Sequence, residues 1–171
     1  MKLVPLSSVP AAEVEALLDR AFGPDRRART AYRVRAGLAP ITQLSAALVD
    51  DAGALAGSIQ CWPVALACDD GARMPLVMVG PVAVDPAIQR AGLGRRLTRH
   101  AIAAADASAL PGHDVLMLVG DPEYYTRFFG FSDAATRRWR LPGPWEPRRL
   151  LARGPAPDRA GLIEGRVDTI A

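Results

Sequence analysis

The sequence predicts an α/β domain of the α+β kind, with a mixed, mostly antiparallel central sheet flanked by helices. Three observations predict it. Apolar residues recur at helical spacing near the N-terminus, at Val14, Leu17, Leu18, Ala21 and Phe22. Strand-like stretches separated by turn residues then follow one another between residues 44 and 84, the order of an antiparallel meander. Finally, Val82-Ala83-Val84 leads through Asp85-Pro86 and a glycine-containing loop into another helix, and a short apolar run follows it.

Taken in order, residues 3–6 read as a first strand, and Ser8 and Pro10 open a helix that Gly23-Pro24 stops. A second helix is expected over about residues 29–36, ending at Gly37. Residues 44–49 read as a strand, Asp50 to Gly53 as a turn, and 54–66 as a longer returning strand. Asp69-Asp70-Gly71 marks the next turn, and 76–84 the strand after it. Pro63 and Pro81 inside these strands point to a bulge, bend or edge. Beyond the loop, Leu93, Leu97, Ala101 and Ala104 line one helical face, and Arg95, Arg96 and Arg99 another. Residues 115–119 are continuously apolar, as in a strand covered on both faces. Asp121-Pro122-Glu123 starts a short helix through Phe128, ended by Gly130. Trp139 and Leu141 alternate with Arg138 and Arg140 as in one more strand; Pro142 to Pro147 is a loop, and the last twenty residues carry little pattern.

Composition narrows the function classes. At 171 residues, half of them hydrophobic and 23% charged, one folded domain is expected. Lys2 is the only lysine among 21 basic residues, which reads as genomic composition bias. A net charge of +3 without a basic stripe does not call for nucleic acid. Cys61 and Cys68 match no metal-ligand spacing and no disulfide framework; Cys61 reads as a small core residue. With no leader-like or membrane-length apolar run, a cytoplasmic protein is expected.

The loop is the most informative stretch. A glycine-containing turn between a strand and a helix leaves bare N–H groups at the helix N-terminus, where the helix dipole also favours an anion. Gln89, Gly92 and Gly94 stand in the spacing Gln-x-x-Gly-x-Gly directly after Val82-Ala83-Val84-Asp85-Pro86. This resembles the acetyl-CoA pyrophosphate loop of the GNAT N-acetyltransferase superfamily. The dinucleotide fingerprint fails, because Leu97 stands where its third glycine would be. The order of elements resembles the same superfamily over roughly residues 3–142, leaving 143–171 outside the match within a single domain 1–171. The resemblance implies acetyl-CoA as cosubstrate. It implies that Val82, Ala83 and Val84 offer backbone groups to the pantetheine arm, and that Gln89, Arg90, Ala91, Gly92, Leu93, Gly94 and Arg95 hold the pyrophosphate.

A second motif is Asp121-Pro122-Glu123-Tyr124-Tyr125-Thr126-Arg127-Phe128-Phe129-Gly130-Phe131. Many GNAT enzymes carry a tyrosine four residues before a Gly-Phe pair, as the acid that protonates the departing thiolate. Here Thr126 holds that position and Tyr125 lies one residue earlier, so the resemblance implies Tyr125 as the acid, with Tyr124 as the alternative. A phenol with an ordinary pKa near 10 is protonated at neutral pH and fits that role. No general base stands out: Asp121 and Glu123 read as helix-start carboxylates, and His100 and His113 as structural or solvated. Arg26-Arg27-Ala28-Arg29 and Arg137-Arg138 read as solvated faces, with a grip on cofactor phosphates or an acidic substrate as the alternative.

The implied activity is acetyl transfer from acetyl-CoA to a primary amine by direct attack, with no metal. Two alternatives stand beside it: a non-catalytic acyl-CoA-binding or regulatory module of the same fold, and an acetyltransferase acting on protein-borne or tRNA-borne amines. The expected partner is a small-molecule or peptide amine, with a homodimer as the candidate assembly and neither nucleic acid nor membrane.

Overall fold

The computed structural model describes residues 1–88 and 92–167. Its chain order is β1 (Lys2–Pro5), α1 (Ala11–Phe22), α2 (Thr30–Val34), β2 (Ala46–Val49), β3 (Leu55–Cys68), β4 (Arg73–Val84), α3 (Leu93–Asp106), β5 (Leu116–Val119), α4 (Pro122–Phe129), β6 (Trp139–Arg140), β7 (Leu150–Arg153) and β8 (Gly161–Gly165). The strands join in the order β1-β2-β3-β4-β5-β7, with β8 on β3 and β6 on β8. Pairing is parallel between β4 and β5 and between β6 and β8, and antiparallel between β1 and β2, β2 and β3, β3 and β8, and β5 and β7. The expected mixed, mostly antiparallel sheet is therefore present.

The chain forms two compact units, residues 1–28, 40–61 and 79–107 in the first and 29–39, 62–78 and 108–171 in the second. In the first unit, β1 pairs with β2 from Lys2↔Val49 to Pro5↔Ala46, and β2 with the early part of β3, Ala46↔Ile59. Helix α1 starts at Pro10 and stops at Gly23, whose φ of 90° lets its N–H reach back to the Asp19 carbonyl at 2.9 Å. Its apolar stripe, Val14, Leu17 and Leu18, is buried with Leu6, Ala47 and Ala83. Burial of a side chain of this size is worth roughly 1.5–3 kcal/mol, so the stripe anchors the helix.

One sequence reading is corrected here. Arg26 is not part of a solvated face: it is only 1% exposed. Its Nε donates to Asp19 Oδ1 at 2.7 Å, and its guanidinium also binds the Glu15 carboxylate. Glu15 and Asp19 lie on α1 one turn apart, so one buried guanidinium spans both. Arg27, exposed, shares Glu15 at 2.6 Å.

In the second unit, β5 pairs with β4 at Val77↔Leu116 and Met78↔Met117, and with β7 from Leu116↔Arg153 to Val119↔Leu150. β8 pairs with β3 from Val64↔Gly165 to Cys68↔Gly161. The core includes Trp62, Leu66, Met117, Leu150 and Ile163, with Trp139 fully enclosed and its indole N–H donating to the Pro157 carbonyl at 3.2 Å. β7 and β8 are additions to the sequence reading. So is the early part of β4, where the Cys68 N–H donates to the Ala72 carbonyl at 2.8 Å and closes the hairpin sooner than expected. No helix among the described residues is long and apolar enough to cross a membrane.

Candidate active site

One group of the residues singled out from the sequence lies in the first unit. β4 ends at Val84, and Asp85 to Ile88 makes a turn closed by Ile88 N–H to Asp85 O at 2.9 Å. Pro86 suits its second position, and the Asp85 carboxylate accepts from the Ala87 N–H at 2.9 Å, an Asx turn inside the larger one. Arg20, at the end of α1, grips the same carboxylate through Nε at 3.2 Å and Nη2 at 2.9 Å. The Ala87 amide first, and the Arg20 guanidinium with it, hold Asp85 below the usual carboxylate range against the opposing effect of burial. Gln89, Arg90 and Ala91 lie outside the described residues.

The chain resumes at Gly92, which heads α3 with φ 90° and ψ 0°. That left-handed conformation is one glycine adopts at no steric cost. No side chain caps this helix start and its first turn holds no acidic residue. The helix dipole there is thus met by no carboxylate of its own turn. Instead, Arg95 folds back, its Nη2 only 3.6 Å from where a Cβ on Gly92 would sit. Leu93 is buried, which turns the helix so that Gly94 and Arg95 stay partly exposed. Of the three β4 residues, Ala83 is buried, with Val82 and Val84 half-buried. A strand end, a tight turn and an arginine-flanked helix N-terminus thus stand in sequence here.

Another group lies in the second unit. Asp121 caps α4, its carboxylate accepting from the Glu123 N–H at 3.1 Å, and Gly130 ends the helix with φ 72°. Tyr125 is half-buried among aromatic rings: Tyr124 at 5.0 Å, Phe131 at 6.0 Å and Phe129 at 6.0 Å between centroids. Burial pushes its phenol up to about 12, helped by Tyr124 and Asp121. Tyr124 also packs tilted against Phe128 and edge-on to Phe129. Glu123 is ion-paired with Arg148. Hydrogen bonding with Asp121, with its own backbone and with Arg148 holds it below the usual range. His100, on α3, is lowered by burial.

Sequence reasoning missed Gly120, Arg148 and Arg149, which surround the start of α4. The Gly-Asp-Pro triplet at 120–122 was the available signal, since it marks a tight strand-to-helix junction.

Strand, turn and glycine-headed helix follow one another on a mixed α/β sheet. The chain belongs to the GNAT acetyltransferase family: the family model described as acetyltransferase (GNAT) domain matches residues 6–133. Among solved structures it is similar to a GNAT family N-acetyltransferase from Escherichia coli in complex with CoA. That likeness has 26% identity and a TM-score of 0.71, over 96% of this chain and 89% of that one. A GNAT family acetyltransferase from Brucella melitensis in complex with acetyl-CoA shares the fold, at 24% identity and a TM-score of 0.61, over 97% of this chain and 96% of that one. No curated protein gives a significant match to the sequence.

Proposed function

We propose that this GNAT protein transfers the acetyl group of acetyl-CoA directly to a primary amine. The observation that carries the reading is Gly92: a left-handed glycine heading α3, the next element after β4, in a helix start without acidic residues and with Arg95 folded over it. Such a start suits a diphosphate, and the Escherichia coli protein similar to this chain over nearly its whole length has CoA bound.

In this reading Gln89 to Arg95 hold the pyrophosphate, and backbone groups of Val82, Ala83 and Val84 align the pantetheine arm. The amine nitrogen attacks the thioester carbonyl carbon, the carbon–sulfur bond breaks, and the thiolate leaves. The Tyr125 hydroxyl gives its proton to that thiolate, and the proton shed by the attacking nitrogen as the amide forms passes through water and restores the phenol. Holding amine and thioester together supplies much of the rate. With its phenol raised to about 12, Tyr125 stays protonated across the working pH range.

A binding module without turnover is the second reading. It is favoured by the acidic residues of α4: Asp121 serves as the helix cap and Glu123 is ion-paired, so neither is poised as a base. Release of free thiol from acetyl-CoA, measured against polyamines, amino acids, aminoglycosides and short peptides, separates the two. Turnover above the hydrolysis background with any amine supports the transferase; CoA binding with no turnover across the panel supports the module.

A further inference from the structure

We propose that Gly120 is a positioning residue for the Tyr125 hydroxyl, and that Arg149 locks Gly120 in place. This rests on the reading of Tyr125 as the acid. Gly120 lies between β5 and the Asp121 cap, and it is buried. It is not among the glycines with positive φ. Its backbone is therefore open to any residue, and the need for glycine is spatial. A Cβ built there would fall 2.5 Å from Tyr125 Cε2, 2.8 Å from Tyr125 Cδ2 and 3.0 Å from Leu118 Cδ1. The phenol ring lies directly on the bare Cα.

Other sides of the ring are packed too. Phe131 meets it edge-on at 76°, and Tyr124 at 88°. A methyl group on Gly120 thus cannot be absorbed by a small ring tilt; it pushes the ring off its seat and moves the hydroxyl with it.

Both backbone polar groups of Gly120 are held by one residue. Its N–H donates to the Arg149 carbonyl at 2.9 Å, and Arg149 Nε donates to the Gly120 carbonyl at 3.2 Å. The neighbouring Arg148 pairs with Glu123 in the first turn of α4. Both arginines lie just before β7 and beyond residues 6–133, where the family model matches. The C-terminal segment therefore braces the junction from which the tyrosine projects.

The test is steady-state kinetics on the active amine, with 19F NMR of protein carrying 3-fluorotyrosine at its three tyrosines. The Tyr125 resonance is assigned by its loss in Tyr125→Phe. We expect Gly120→Ala to shift that resonance and to lower kcat by about tenfold or more. The KM for acetyl-CoA should stay within about twofold, because the loss falls on the chemical step. Adding Gly120→Ala to Tyr125→Phe should cost nothing further, since both remove one interaction. Arg149→Ala, at an exposed side chain, should lower kcat severalfold, with partial recovery in Arg149→Lys.

An unmoved resonance overturns the proposal. So does a Gly120→Ala loss that persists in full in the Tyr125→Phe background, or wild-type kcat in Gly120→Ala when Tyr125→Phe is slow. Should Gly120→Ala not fold, wild-type kcat in Arg149→Ala overturns it. If Tyr125→Phe itself turns over at the wild-type rate, the acid assignment has failed, and the positioning role falls with it.

Discussion

Replacing Arg26 by alanine is predicted to cost far more stability than replacing its neighbour Arg27. The Arg26 side chain is 1% exposed and bridges Glu15 and Asp19, whereas the Arg27 side chain is 65% exposed and meets Glu15 alone. Breaking a buried ion pair costs about 3–5 kcal/mol when the remaining charge is stranded. Here the carboxylates left behind are 43% and 47% exposed, so water recovers part of that loss. What remains is two charge-assisted hydrogen bonds and a side-chain-sized void, together about 2–4 kcal/mol. For a chain of this size that corresponds to a fall in Tm of roughly 5–12 °C. Arg27→Ala removes an exposed pair worth at most about 1 kcal/mol, a fall of a few degrees at most. Arg26→Lys should resemble Arg26→Ala, because a single ammonium cannot span both carboxylates as the planar guanidinium does. Differential scanning calorimetry at neutral pH measures all three. Equal Tm losses for Arg26→Ala and Arg27→Ala would refute the buried-bridge argument.

Three further outcomes are expected. Tyr125→Phe should reduce turnover by about 10²–10⁴-fold with CoA affinity nearly intact, while Tyr124→Phe does much less; the reverse order would move the acid to Tyr124. Asp85→Ala removes both the Asx turn and the Arg20 contact that shape the residues before the glycine loop. It should raise the KM for acetyl-CoA severalfold with little change in kcat, and an unchanged KM would detach Asp85 from cofactor binding. Burial alone would raise the Glu15 pKa, but Arg26 and Arg27 more than reverse it, and its folded value lies below the ordinary 4.5. Its contribution to stability is therefore present above pH 4.5 and lost as pH falls through the lower folded value. Tm measured from pH 7 to pH 3 should decline in that acid window, and the Arg26→Ala protein should decline less.

What was legible in the sequence was mostly local. Helix α4 is written between a capping Asp121 with Pro122 and a terminating Gly130, and it forms between those residues. Helix α3 begins one residue after Gly92 and buries Leu93, Leu97 and Ala101, as their spacing requires. β7 and β8 escaped because their pairing is remote. β8 completes its ladder on residues 64–68 of β3, about a hundred positions upstream, and nothing local marks it beyond a glycine at each end. β2 starts at Ala46 rather than at 44, because Thr42 to Leu44 closes into a single 3-10 turn first. The burial of Arg26 was hidden for another reason. An arginine cluster beside Gly23-Pro24 reads as surface, and only the i, i+4 pair Glu15 and Asp19 on α1 hinted at a partner. The glycine loop was legible as a motif, whereas the seat of Tyr125 on Gly120 depends on a ring-to-backbone contact that no spacing rule encodes.

The most direct test of the central claim is whether CoA binds through the helix start headed by Gly92. A ligand that binds only the folded protein, present at 100 times its dissociation constant, adds about 2.7 kcal/mol. The account therefore predicts a rise in Tm of roughly 5–10 °C with CoA or acetyl-CoA. In Gly92→Val, where a branched side chain must enter a left-handed conformation with φ 90°, the folded protein should show no such rise. If millimolar CoA and acetyl-CoA both leave the wild-type Tm unmoved, or if Gly92→Val retains the full shift, the claim is contradicted.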